Sequence, residues 1–152
     1  MPKIHPFLWF DTQAEEAMNF YVSIFPNSKV LNVGSGPEGR VMTADFELDG
    51  LRVTALNGGP NFAFSEAVSF VVDCKDQAEV DYYWDRLVDK GAPSQCGWLK
   101  DRFGFSWQIV PQQLFETIGG SDPEGRKRAM AAMMQMTKLD VSKLQAAYTG
   151  AS

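Results

Sequence analysis

The side chains able to do chemistry in this 152-residue chain are few and scattered. There is one histidine, His5. Clusters of two or more imidazoles are therefore excluded. A Ser-His-Asp relay would have to be built on His5, at the start of an N-terminal strand, and no G-x-S-x-G elbow presents a serine to it. With no partner motif, His5 reads as a strand-end or pocket-edge histidine. Cys74 and Cys96 stand apart without C-x-x-C spacing, so they read as buried reduced thiols rather than a disulfide or a zinc knuckle. "GSGPEG" at residues 34–39 fits G-x-G-x-x-G letter for letter. A cofactor loop of that kind needs a helix behind it, whose N-terminus faces the anion. The next segment along the chain, "RVMTADFEL", has the pattern of a strand, and Pro37 sits inside the motif; the expectation is a hairpin loop and no bound cofactor. Asp101 and Arg102 lie in the turn of "GWLKDRFGFSWQIVP" and read as turn and surface residues. Trp9, Trp98 and Trp107 occupy strand-like runs. Large aromatic walls with a few polar groups suit a small-molecule pocket, and they suit a core equally well.

The elements that must position these residues show an internal echo. "FLWFDTQAEEAMNFYVSIF" at residues 7–25 is an apolar run, an Asp, a polar turn and an amphipathic helix, and "FVVDCKDQAEVDYYWDRLV" at residues 70–88 repeats that order. Both contain Gln-Ala-Glu, 64 residues apart, which sets His5 opposite Ser69. The helices carry apolar stripes at a period of 3.6: Ala14, Ala17, Met18, Tyr21 and Phe25 in the first, Val80, Tyr83, Trp84 and Leu87 in the second. Strands to receive them come after each helix. In the first half these are "SKVLNVGSG", "RVMTADFEL", the hairpin turn Asp49-Gly50 and "LRVTAL"; in the second, "GWLKD", a turn at Gly104 and "FSWQIV". A third strand around residues 91–96 is less clear. Four residues after each turn glycine stand Thr54 and Gln108, which makes them equivalent.

The fold expected is α+β: two βαβββ modules, about residues 3–62 and 66–112, forming a cupped mixed sheet within a single domain over residues 1–120. A helical extension occupies 121–152, with Asp122 or Ser121 capping a helix that has Pro123 at its first position, and Asp140 capping another. Met130, Met133, Met134 and Met136 read as packing residues. The net charge of −5 and a pI near 4.8 argue against a nucleic-acid surface. Nothing in the sequence resembles a membrane span or a signal peptide, and the expectation is a soluble, cytoplasmic protein.

The paired modules, together with "PFLWFDTQAEEAMNFYVSIFPNS", "SFVVDCKDQAEVDYYWDRL", "CGWLKDRFGFSWQIVP" and the tail from Arg128 to Asp140, resemble the PhnB-like family. This is a branch of the vicinal oxygen chelate superfamily of glyoxalases, bleomycin-resistance proteins and extradiol dioxygenases, often labelled 3-demethylubiquinone-9 3-methyltransferase. The resemblance implies that divalent-metal ligands, where present, come from the first and last strands of each module. Here those positions read His5, Thr54, Ser69 and Gln108, with Pro6 and Phe70 as alternates on the first strands. A hydroxyl is a poor ligand beside the imidazole and carboxylate that bind such ions well. The expectation is no metal, and a small apolar or aromatic ligand held in the cup by His5, Trp9, Thr54, Ser69, Trp98, Trp107 and Gln108. The alternatives are a metal-dependent enzyme of the glyoxalase or dioxygenase kind and the methyltransferase of the family label. Superfamily members usually complete their cups by dimerising, so a homodimer is expected, with no nucleic-acid or membrane partner.

Overall fold

The computed structural model describes residues 2–151, and the chain divides into two compact units, Met1–Ala63 and Phe64–Ser152. Each unit holds one four-stranded sheet.

In the first unit β1 (Phe7–Phe10) leads into α1 (Ala14–Ile24), then β2 (Lys29–Ser35), β3 (Val41–Leu48) and β4 (Leu51–Asn57). The sheet order is β1-β4-β3-β2, with β1 parallel to β4 and the other pairs antiparallel. One face is apolar because Ala44, Phe46, Val53 and Ala55 share it by the strand period of two, and all four are fully buried. α1 lies there, burying Ala14, Ala17, Met18, Tyr21 and Ile24. The stripe thus ends on Ile24, because Phe25 has already left the helix as its C-cap. α1 has no side-chain cap of its own; Ala14 N–H donates instead to Asn57 Oδ1 of β4 at 2.8 Å. The β3–β4 turn is the expected two-residue Asp49-Gly50, with φ of 49° and 84°, the left-handed pair that such hairpins need. The "GSGPEG" segment connects β2 to β3 through a single 3₁₀ turn, Pro37–Gly39, and Gly36 N–H bonds Arg40 O across its mouth at 2.7 Å.

The second unit repeats the pattern with β5 (Ser69–Cys74), α2 (Gln77–Val88), β6 (Ala92–Pro93), β7 (Trp98–Lys100) and β8 (Ser106–Pro111), in the order β5-β8-β7-β6. The uncertain strand exists but is only two residues long. Pairing of Phe7 with Thr54 in one unit and of Val71 with Gln108 in the other bears out the 64-residue offset and the equivalence of Thr54 with Gln108. α2 buries Val80, Trp84 and Leu87 and is capped by Asp76, which accepts from Glu79 N–H. The tail adds α3 (Gln113–Ile118), which no sequence pattern revealed, then α4 (Pro123–Met133), whose N-cap residue Asp122 makes no side-chain cap bond, and α5 (Val141–Thr149), capped by Asp140. Val110, Leu114, Leu139 and Leu144 form the apolar centre beneath these helices, with Ile118, Met133 and Met136 packed on it. Gln77 ties the tail to α2, donating to Leu139 O and accepting from Val141 N–H.

Candidate functional site

The faces turned away from α1 and α2 carry the residues that the sequence singled out. In the first unit this face presents Phe7 and Trp9 from β1, Thr43, Asp45 and Glu47 from β3, and Arg52, Thr54 and Leu56 from β4, by alternation along paired strands. His5, just ahead of β1, reaches Thr54: Nε2 lies 3.0 Å from Oγ1. The Thr54 hydroxyl in turn donates to Asp45 Oδ1, and Arg52 stands 3.6 Å from the other carboxylate oxygen. Thr54 has one hydroxyl proton and gives it to Asp45, so its oxygen accepts from His5, whose Nε2 must be protonated. That direction is opposite to what an imidazole activating a threonine nucleophile requires. Asp45 and Arg52 were missed by sequence reasoning. The signal was present in the strand period, which puts Asp45 directly across from Thr54.

Trp9 is partly buried, its indole N–H donating to Gly59 O at 2.9 Å and its ring meeting Phe62 edge-on at 4.9 Å. A Cβ on Gly58 would run into that ring, so the close approach of backbone to Trp9 requires glycine there.

In the second unit Gln108 Nε2 donates to Ser69 Oγ at 2.9 Å. His5–Thr54 and Ser69–Gln108 are thus equivalent contacts, each joining the approach to a first strand with its parallel last strand. The alternates Pro6 and Phe70 offer no polar side chain for such a contact. Trp98 is the cross-strand neighbour of Gln108, on the same face and partly buried. Trp107 points to the other side: it is 2% exposed, and its indole N–H donates to Asp101 Oδ2 at 2.8 Å. Asp101 is not a surface residue. It too is 2% exposed, and its Oδ1 accepts from the backbone N–H groups of Phe103 and Phe105. A carboxylate receiving three N–H groups can be buried where a bare one could not. Arg102 does lie nearer the surface and pairs with Asp89 at 3.0 Å.

The donor set does not suit a metal ion. The four superfamily positions supply one imidazole, two hydroxyls and an amide, and their hydrogen bonds join them in two pairs. Among the described residues no group of three His, Cys, Asp or Glu side chains lies close enough to hold one. Nor does the Gly-rich hairpin suit S-adenosylmethionine, since one 3₁₀ turn stands where a helix N-terminus would be needed. Burial, with help from Glu79, Asp73 and Asp76, pushes the Cys74 thiol up to about 12, which keeps it un-ionised and unreactive at neutral pH. Cys96 is partly exposed, its Sγ 3.8 Å from Met134 Sδ. Among the described residues no helix is long and apolar enough to cross a membrane.

Residues 2–110 match the family model described as 3-demethylubiquinone-9 3-methyltransferase. Among solved structures, the PhnB protein of Bacillus cereus is 34% identical, with a TM-score of 0.68 over 72% of this chain and 99% of that one. A Pseudomonas aeruginosa protein is 19% identical, with a TM-score of 0.61 over 73% of this chain and 98% of that one. The genomically encoded fosfomycin resistance protein FosX of Listeria monocytogenes is 16% identical, with a TM-score of 0.55 over 76% of this chain and 94% of that one. The last two show likeness of fold alone. A search of curated proteins found no match.

Proposed function

We propose that this chain, which belongs to the 3-demethylubiquinone-9 3-methyltransferase (PhnB-like) family of the vicinal oxygen chelate superfamily, binds a small apolar or aromatic molecule against its open sheet faces and does so without a metal ion. One observation carries the reading: the positions where the superfamily places metal ligands are hydrogen-bonded to each other, His5 to Thr54 and Gln108 to Ser69, beside the partly buried rings of Trp9 and Trp98. Flat rings next to a few polar groups are what orients a small ligand. The methyltransferase of the family label is not favoured by the arrangement of these residues. We also propose a homodimer. Phe7 on β1 and the equivalent Val71 on β5 are 57% and 52% exposed, and a second copy of the chain would cover such apolar side chains on edge strands.

The test is metal content together with thermal stability. Protein purified without chelator is expected to hold far less than one equivalent of zinc, nickel, manganese or iron. Added metal is expected to leave Tm unchanged, because an ion that bound only the folded state would raise it by mass action. Near-stoichiometric metal, lost together with an activity in Gln108→Ala, would return the chain to the glyoxalase-type enzymes. A monomeric mass in light scattering at micromolar concentration would remove the dimer.

A further inference from the structure

Ser106 is 1% exposed, and its hydroxyl has no hydrogen-bond partner. A buried hydroxyl left unpaired is uncommon in a native structure and asks for a reason. Its place in the sheet supplies one. Ser106 sits directly across from Ser69 and two residues before Gln108, so the three side chains rise from one face of β5 and β8. Gln108 Nε2 donates to Ser69 Oγ. That leaves the Ser69 hydroxyl proton, the Ser106 hydroxyl and Gln108 Oε1 without partners. Lys100, the other cross-strand neighbour of Ser106, is already matched, pairing with Glu66 at 2.5 Å.

We infer that Ser69, Ser106 and Gln108 form the polar wall of the binding face and select a flat, neutral molecule with a carbonyl next to an N–H, the edge of a lactam or cyclic amide. The lactam oxygen accepts from the serine hydroxyls, and its N–H donates to Gln108 Oε1. With the Gln108 amide reversed, its N–H meets the lactam oxygen and a serine oxygen takes the donor, so the match holds in both orientations. An anionic ligand would find no free positive charge here, since Lys100 is already paired, and would face the exposed carboxylate of Asp73 further along β5. Contact requires the Ser106 hydroxyl to be uncovered. Its neighbour Lys100 is a long side chain tethered at its tip to an exposed glutamate, and such a group can swing aside.

This inference rests on the apolar-ligand reading, and the experiment separates the two. Calorimetric titration compares 2-quinolone, a flat lactam, with naphthalene, the same shape without the polar edge. In the wild-type protein 2-quinolone is expected to bind at least tenfold more tightly than naphthalene. Ser106→Ala and Gln108→Leu are each expected to reduce that ratio at least fivefold, through a loss of 2-quinolone affinity. Ser106→Ala removes a hydroxyl that bonds to nothing, so its Tm is expected to equal or exceed that of the wild type, which rules out misfolding as the cause. Equal wild-type affinities, or a ratio that neither substitution alters, would overturn the lactam wall alone. Binding of neither compound would overturn it together with the apolar-ligand reading.

Discussion

The two open sheet faces are built on one plan and have been finished in different ways. At the position that is Asp45 in the first module stands Trp98 in the second; Arg52 is matched by Ser106, Glu47 by Lys100 and Phe7 by Val71. The first face is closed on itself, with His5, Thr54, Asp45 and Arg52 linked in one run of contacts. The second keeps hydrogen-bonding capacity in reserve at Ser69, Ser106 and Gln108. A self-satisfied polar chain stiffens the sheet under it, whereas unmet donors and acceptors gain from a ligand. On the proposed reading the two faces share one geometry, the first giving stiffness and the second recognition.

The same contrast runs through the hairpins, where the largest effect is expected. Leu48 and Asp101 are equivalent and both buried, yet one module closes its hairpin with an apolar pair, Leu48 against Leu51, and the other with a carboxylate. Asp101→Ala strips the partner from three N–H groups and is expected to cost about 3–5 kcal/mol, given that hydrogen bonds to charged groups are the strong ones. Asp49→Ala, in the turn of the first module, exchanges one left-handed residue for another that tolerates it less and should cost about 1 kcal/mol. Urea denaturation of both variants decides the matter. Equal losses would mean that the second hairpin does not depend on its buried carboxylate.

Next in size comes the pair that defines the comparison. Thr54→Val leaves His5 without its partner and Asp45 with Arg52 alone, and is expected to destabilise by about 1–3 kcal/mol. Gln108→Leu, although equivalent in position, breaks one bond on a face that already carries unmet capacity. It should cost less than about 1 kcal/mol. If the order were reversed, the assignment of stiffness to the first face and recognition to the second would fall.

How far the sequence reaches can be judged on these same residues. The modules were legible because the Gln-Ala-Glu echo and the strand period are local properties, and the offset of 64 that they imply agrees with the sheet register. The offset made His5 equivalent to Ser69 and Thr54 to Gln108; the hydrogen bonds that join them in pairs emerged only from the structure. Asp101 was misread because a turn aspartate and a buried, triply bonded one look alike in sequence; what separates them is Trp107, six residues on, turning its indole back toward the turn. Trp9 and Trp107 could not be told apart by type, since which face each occupies depends on strand register. The short α3 escaped because six residues make too brief a period to read.

The last contrast concerns how the two helices begin. α2 is capped from within its own segment: Asp76 Oδ1 accepts from Glu79 N–H at 3.0 Å, and Glu79 Oε1 reaches back to Lys75 N–H at 2.9 Å. α1 has Gln13 at its cap and makes no such bond, borrowing Asn57 from β4 instead. The position equivalent to Asn57 in the second module is Pro111, which has no side-chain donor or acceptor to lend, so the local cap on α2 and the borrowed one on α1 are alternative solutions to one problem. Asp76→Ala should therefore cost about 1 kcal/mol, the usual worth of an N-cap, with faster hydrogen exchange confined to the first turn of α2. Asn57→Ala should cost somewhat more, about 1–2 kcal/mol, because its amide also donates to Val41 O at 3.0 Å and so ties β4 to the start of β3 as well as to α1. Exchange should then quicken at two separated places, the first turn of α1 and the β3 end near Val41. If Asn57→Ala disturbed only α1, the amide would be a cap and nothing more, and the first module would lose its claim to be the more tightly cross-linked of the two.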